Sequence, residues 1–425
     1  AALDVKELGR RALTTNNDEQ QANSARTAKT KKNAKVNKHS SYRPKFDEPE
    51  LGYDIENCPP TPPPSYPKAW KATEVLTNWN PNDVTIVPPA HRDVYHGLCI
   101  FDYQTQYDIA KAYRDAERPF IIRNDPNVMA ASKRWYGNPN YLRDNFPDEK
   151  VYTERSPINH FMFYTEKKKH RVESWSQPKN DIIEMTYREW LERALEREAN
   201  VLGSPEISEL AKKLREERMK KGETDDGDPP EDDEIKEDHD TEEEKRLKWY
   251  YLRINGWLED ADEEGTDKFV FDELKFFDPR KKDSDFYMID KKKQRGINCR
   301  FGMRGIIAEN HMDLSRNTIA LLGGERRYII AHPEQCTKMG LYPHEHPSGR
   351  HSSFDWCNPT EWDIHPEFKE ARVSEVVMHA GDVLYLPTAW FHYIVNLSIN
   401  IQCNIRSGIG EENMNFVNEC GFDPR

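Results

Sequence analysis

Residues 305–331 read GIIAENHMDLSRNTIALLGGERRYIIA, and residues 379–405 read HAGDVLYLPTAWFHYIVNLSINIQCNI. Both are short runs of β-branched and aromatic residues, cut at close intervals by Gly, Pro, Asn and Asp, which specifies strands and turns rather than helices. Reading outward from them, strands are expected at 305–308, 317–322, 327–331, 373–378, 383–386 and 396–405. Many short strands in series point to a sandwich or jelly roll. Gly323-Gly324, between two of these runs, reads as a hairpin turn.

Ahead of this β-rich part the pattern changes. Residues 101–117 and 185–198 have helical spacing, the second with Thr186 placed to cap it and Trp190, Leu191 and Leu195 on one face. Strands are expected at 119–123, 150–153, 160–164 and 249–252, short helices at 130–136 and 141–146, and a charged helix at 208–221. The run PPTPPPSYP (59–67) reads as a stiff, polyproline-like connector. The chain thus divides into a basic, Pro-rich extended tail (1–68), a helix-and-strand region (69–205), a charged helix with an acidic insertion (206–248) and a β domain (249–425).

The 425 residues carry 62 Lys and Arg against 75 Asp and Glu, a formal charge of −13. Two segments of opposite sign dominate: residues 222–245 hold 14 acids and 2 bases, and residues 20–45 hold 8 bases and no acid. A solvated linker and a solvated tail are the simplest readings. The alternatives are a basic partner for the insertion, and an acidic partner or a nuclear address for the tail. The tail has no aromatic residue before position 42, which disfavours nucleic acid.

No apolar run reaches the roughly 18 residues of a membrane span, so none is expected. Seven cysteines (58, 99, 299, 336, 357, 403, 420) are scattered without a CxxC pair, which argues against a disulfide scaffold and a zinc finger. Cys336 and Cys357 are expected as small apolar packing unless the compartment is oxidising. The sequence begins AALDVKELGRRAL, without methionine, which fits a processed end as well as an arbitrary start. Compartment therefore stays open between cytoplasmic or nuclear and processed secretory or organellar. Asn396-Leu397-Ser398 is a glycosylation sequon, but in an apolar run (393–401) where a glycan hardly fits.

Chemistry concentrates in His311, Asp313 and His392. Alternate residues of a strand share a face, so His311 and Asp313 can converge on one ion. A second strand, after the turn Ala380-Gly381-Asp382, supplies His392. Two imidazoles and one carboxylate on one face of a metal leave positions open, the ligand set of non-haem Fe(II) oxygenases. A His-x-Asp alone is common by chance, and a solvated histidine is its ordinary reading. The residues around it decide.

Residues 302–336 (GMRGIIAENHMDLSRNTIALLGGERRYIIAHPEQC) resemble the strands around the first two metal ligands of the Jumonji C family of Fe(II)- and 2-oxoglutarate-dependent oxygenases. Gly381, Asp382, Leu384, Tyr385, Pro387, Trp390, His392 and Asn404 are similar to the family's later turn-and-strand motif. FIIRNDPNV (120–128), PNYLRDNF (139–146) and HFMFYT (160–165) resemble its N-terminal region, and the likeness covers most of 85–410. It implies a double-stranded β-helix (cupin-type jelly roll) core with an α/β N-terminal extension. It also implies Fe(II) on His311, Asp313 and His392, and 2-oxoglutarate contacted by Tyr251, Asn317, Arg326 and Asn404, with Trp390 packed beside the iron. Two departures stand out: Arg326 replaces the usual Lys that binds the distal carboxylate, and Ala308 replaces a hydroxyl residue.

In layout the chain is nearest the family's protein hydroxylases, so the resemblance implies oxidation of a C–H bond on a protein substrate, coupled to decarboxylation of 2-oxoglutarate to succinate. Lysine demethylation is an alternative, disfavoured by the lack of a Cys/His zinc module. A catalytically silent jelly-roll subunit with a binding or structural role is another, motivated by Arg326 and Ala308. The loop His344, His346 and His351 reads as a solvated turn, with a second metal site or substrate contact as alternatives.

Overall fold

The computed structural model describes residues 55–84, 94–164, 180–220 and 248–422; the basic 20–45 and acidic 222–245 segments lie outside the described residues. The elements begin with β1 (Trp70–Lys71), α1 (Ala72–Asn78), β2 (Ile100–Asp102), α2 (Tyr103–Asp115), β3 (Phe120–Arg123), α3 (Pro126–Trp135) and α4 (Tyr141–Asn145). Then come β4 (Val151–Ser156), β5 (His160–Phe161), β6 (Asp181–Met185), α5 (Tyr187–Leu202), α6 (Pro205–Lys220), β7 (Trp249–Gly256) and α7 (Thr266–Glu273). The rest is mainly β: β8 (Gln294–Gly302), β9 (Ile307–Met312), β10 (Asn317–Gly323), β11 (Glu325–Ala331), β12 (Arg372–His379), β13 (Val383–Leu386), β14 (Phe391–Asn396), β15 (Asn400–Ser407), and α8 (Met414–Glu419).

Capping side chains set several boundaries. Asp102 ends β2 and accepts from the Gln104 and Thr105 N–H groups, so α2 starts after Phe101 rather than at it. Asp125 does the same for α3, with Pro126 at its first position, which starts that helix four residues before the expected 130. Thr186 and Glu189 form a reciprocal capping box on α5, and Gly203, at φ 61°, ends it. Trp190 and Leu195 of this helix are buried, each burial contributing about 1.5–3 kcal/mol.

The strands form two sheets, in the orders β1-β12-β11-β14-β9-β5 and β2-β3-β13-β10-β15-β8-β7-β4-β6. The quartets β12-β11-β14-β9 and β13-β10-β15-β8 make the double-stranded β-helix, and the other strands extend its sheets. This topology corrects the expected hairpin at Gly323-Gly324, because β10 and β11 lie in different sheets. The two glycines carry the chain across the barrel edge, and Gly324 (φ 73°) presses on the Ile399 carbonyl, where a Cβ would clash. The expected strand 396–405 is likewise two strands: β14 stops at Asn396 and β15 starts at Asn400 in the opposite sheet. The sequon sits at that break, with Asn396 and Leu397 buried.

Outside the six-stranded sheet, Val75 of α1, Trp79 just after it, and Trp356 and Phe368 from the long β11–β12 connection pack on Ile329 and Tyr393. Arg327 and Glu375, both fully buried, pair there at 2.9 Å. The Pro-rich run is not a free connector. Tyr66 is buried, donates its hydroxyl to the Pro119 carbonyl at 2.5 Å, and accepts from the Cys99 N–H. Nor is the charged helix α6 detached: Ile207 and Ala211 are buried and Arg218 pairs with Glu192 of α5 at 3.1 Å.

Six cysteines are paired, as Cys58–Cys99, Cys299–Cys403 and Cys336–Cys420. Cys336 is thus a cross-link rather than apolar filler. Cys357 is free and buried. No helix among the described residues is long and apolar enough to cross a membrane.

Candidate metal centre and its cavity

β9 and β14 are antiparallel neighbours, and their register sets His311 directly opposite His392. The ladder is irregular between His392 and Ile394, and Asp313 follows the last residue of β9. One ligand atom from each of His311, Asp313 and His392 lies within 4.8 Å of the others. The imidazole centroids are 4.1 Å apart, and His392 Nε2 is 4.0 Å from Asp313 Oδ2.

Backbone carbonyls set the tautomers. His311 Nδ1 is 2.7 Å from the Glu309 carbonyl and His392 Nδ1 is 3.0 Å from the Trp390 carbonyl. A carbonyl only accepts, so each Nδ1 carries the proton and each Nε2 keeps its lone pair for a metal. Burial pushes both imidazoles below their ordinary range, His311 further because His392 and His351 add to the effect. Burial alone would raise the Asp313 carboxyl, but Arg406, His392 and His311 outweigh it and hold the group ionised. Two neutral imidazoles and a carboxylate are the protonation states a divalent ion requires, so the residues fit a metal.

A cavity of about 220 Å³ opens beside this cluster, walled among others by Tyr251, Asn317, Tyr328, Gln402 and Asn404. Asn317 faces the same cavity as Asp313 and reaches it from the opposite sheet, donating to Asp313 Oδ2 at 3.1 Å. Asn404 donates to Asn317 Oδ1 at 2.9 Å. Arg326 is fully buried and absent from the cavity wall. Its guanidinium sits one layer behind, donating to Asn400 Oδ1 at 2.6 Å, to Gln402 Oε1, and to the Tyr251 hydroxyl at 3.3 Å. No carboxylate among the described residues pairs with it. Ala308 lines the cavity without a hydroxyl to offer. Trp390 is buried with its indole edge-on to His332 at 5.0 Å, so its backbone carbonyl, not its ring, touches the centre.

Several residues of the site are absent from the sequence expectations. Arg406 donates to Asp313 Oδ2 at 2.8 Å. It lies two residues after Asn404 on the same strand, so alternation alone could have found it. Arg300 lines the cavity, its hydrogen bonds among the described residues going to the Ile254 and Cys299 carbonyls and the Asn255 amide, and burial pulls it down to about 9. The expected solvated turn holds for His344, which is exposed, but not for His351, which is buried, forms an antiparallel bridge with His311 and stacks on it at 4.9 Å. Burial and the adjacent Arg350 pull His351 down to about 4. His346 is also buried, stacked on Tyr342 at 3.9 Å. No local signal marks these residues, because a loop closing on a strand end is a tertiary contact.

The family model of the cupin-like domain matches residues 107–405. Among curated proteins, the chain is 27% identical over 164 residues to tRNA wybutosine-synthesizing protein 5 of Danio rerio, covering 37% of this chain and 44% of that protein. It is 32% identical over 104 residues to lysine-specific demethylase 8 of Danio rerio, covering 24% and 25% respectively. With lysine-specific demethylase JMJ30 of Arabidopsis thaliana the figures are 26% over 124 residues, 28% and 27%. The matched region thus spans less than half the length of each of these relatives. A match over most of the folded part, on a double-stranded β-helix, places the chain in the cupin-like domain family, of the Jumonji C kind.

Proposed function

We propose that the chain is an Fe(II)- and 2-oxoglutarate-dependent oxygenase that hydroxylates a side chain of a protein substrate. The observation that carries this reading is the pair of opposed imidazoles, each with Nε2 freed by a carbonyl, beside one ionised carboxylate at the end of a polar cavity. His311, Asp313 and His392 would hold the iron. Bound together, iron and 2-oxoglutarate supply the oxidant for a C–H bond.

The chain's own residues bind, orient and exclude. The Tyr251 hydroxyl accepts from Arg326, so its own proton is free to point into the cavity and bind a distal carboxylate. Arg326 and Arg300, neither matched by a carboxylate among the described residues, supply the charge that a dianionic cosubstrate balances. Asn317 and Asn404 link that wall to Asp313 and fix its orientation. Packing of Ile319, Ile394 and Phe161 around the cavity limits water.

The names of the relatives offer a tRNA and a lysine as substrate types. The cavity lining favours neither a methylated lysine nor another cation, since Arg253, Arg300, Arg350 and Arg406 all face it. Hydroxylation of a neutral or acidic side chain is therefore the reading we adopt over demethylation. Three disulfides support an oxidising compartment, the secretory alternative of the sequence reading. A second reading, a silent binding subunit, rests on Ala308 and on Arg326 lying behind the wall.

Succinate formation from 2-oxoglutarate with Fe(II), measured with and without the His311→Ala substitution, tests the assignment. Turnover that depends on His311 is expected. Tight metal binding with no turnover across protein substrates would favour the silent subunit.

A further inference from the structure

A second group of donors lies on the far side of β9 from the cavity. One ligand atom from each of His160, Asp355 and Cys357 falls within 4.8 Å of the others, a bound that His311, Asp313 and His392 also meet. His160 comes from β5, and Asp355 and Cys357 from the β11–β12 connection. Glu309 of β9 borders them: its Oε1 is 2.5 Å from His160 Nδ1, which is itself 4.0 Å from Asp355 Oδ1.

Two further observations point to a ligand. Glu309 is 6% exposed, and its second carboxylate oxygen, Oε2, has no hydrogen-bond partner among the described residues. A buried carboxylate oxygen left so costs about 1–3 kcal/mol unless something binds it. Cys357 is the one cysteine outside the disulfides and is buried beside the same carboxylates, in contact with the Tyr393 hydroxyl at 2.9 Å. An odd cysteine in a chain whose other six are paired calls for a partner. Asp355, about a third exposed, leaves a path to solvent.

We propose that His160, Asp355 and Cys357, with Glu309 swinging in as the fourth donor, form a second metal centre for a borderline divalent cation of the zinc class. One nitrogen, two oxygens and one sulfur are the mixed donors such an ion takes in tetrahedral sites. Bonds of about 2.0–2.3 Å call for donor separations nearer 3.5 Å, so the side chains draw together on binding. Four protein donors close the shell, so the centre is structural. Its effect reaches the cavity through the backbone: the Glu309 carbonyl holds His311 Nδ1 at 2.7 Å. Clamping the Glu309 side chain fixes that carbonyl, and with it the direction of His311 Nε2.

The test is reconstitution of the oxidised, chelator-stripped chain with Co(II). Cys357 is the only thiol left, and the His311–Asp313–His392 group contains no sulfur. A thiolate-to-cobalt charge-transfer band in the near ultraviolet therefore reports this centre alone. The band is expected in the wild type and in His311→Ala, and absent in Cys357→Ser, a near-isosteric change whose folding circular dichroism checks. Metal content should fall by one equivalent per chain in Cys357→Ser and in His160→Gln. Saturating Co(II) with no thiolate band in the wild type would overturn the proposal, and so would a band that survives in Cys357→Ser. A band with only one metal bound would support this centre while counting against the oxygenase reading, so the two fail separately.

Discussion

Arg326 is a fully buried guanidinium whose side-chain partners Asn400, Gln402 and Tyr251 are all neutral. It is both a strut between β11 and β15 and an uncompensated charge behind the cavity. Arg326→Met keeps the length and removes both. Losing a charge-assisted interaction of about 1.5–3 kcal/mol should weaken 2-oxoglutarate binding at least tenfold. Orphaned acceptors should lower stability by about 2–4 kcal/mol as well. Titration calorimetry with Mn(II) in place of iron separates the effects, since affinity is read on folded protein. Unchanged affinity in Arg326→Met, with a loss in Arg300→Met, would move the anchor to the wall. At this scale His311, Asp313 and His392 were legible because their chemistry lies in short motifs. Arg406 was legible only through its alternation with Asn404, and Arg300 and His351 were not, because an arginine or a loop histidine carries no local mark of facing a cavity.

Helix α5 begins at a reciprocal pair: Thr186 Oγ1 accepts from the Glu189 N–H, and Glu189 Oε2 accepts from the Thr186 N–H at 2.7 Å. Glu189 also faces Arg218 of α6, so the cap is the corner where the charged helix docks. Thr186→Ala should cost about 1 kcal/mol, read as a lower urea midpoint at unchanged slope. A fall in slope as well would mean that α6 has come away. This cap could be read from the sequence because capping is local. Sheet membership could not. The run 317–331 shows two strands and two glycines, and a hairpin and a crossover between sheets share that signature. What decides is that β10 pairs with β13 and β15, partners more than 60 residues away.

The fold as a whole is cross-linked at cysteines whose spacing along the chain carries no sign of pairing. The paired cysteines are 41, 104 and 84 residues apart, and only the finished topology brings them together. Cys299 and Cys403 face each other across β8 and β15. Cys58–Cys99 ties the Pro-rich segment to the residue before β2, and Cys336–Cys420 ties the β11–β12 connection to the end of α8. Each bond constrains the unfolded chain, typically by about 2–4 kcal/mol and more for longer loops. Reduction should therefore lower the melting temperature by on the order of 5 °C or more, with the oxidised protein as reference. Chain isolated from its native source and denatured in iodoacetamide without reductant should take one label, at Cys357. Seven labels on that material would mean that the fold works with reduced cysteines, and the oxidising compartment proposed above would fall. One label that persists after brief exposure of the folded protein to reductant would show that the cross-links are buried structure rather than a redox switch, as expected for Cys99, Cys299 and Cys403, which have no solvent exposure.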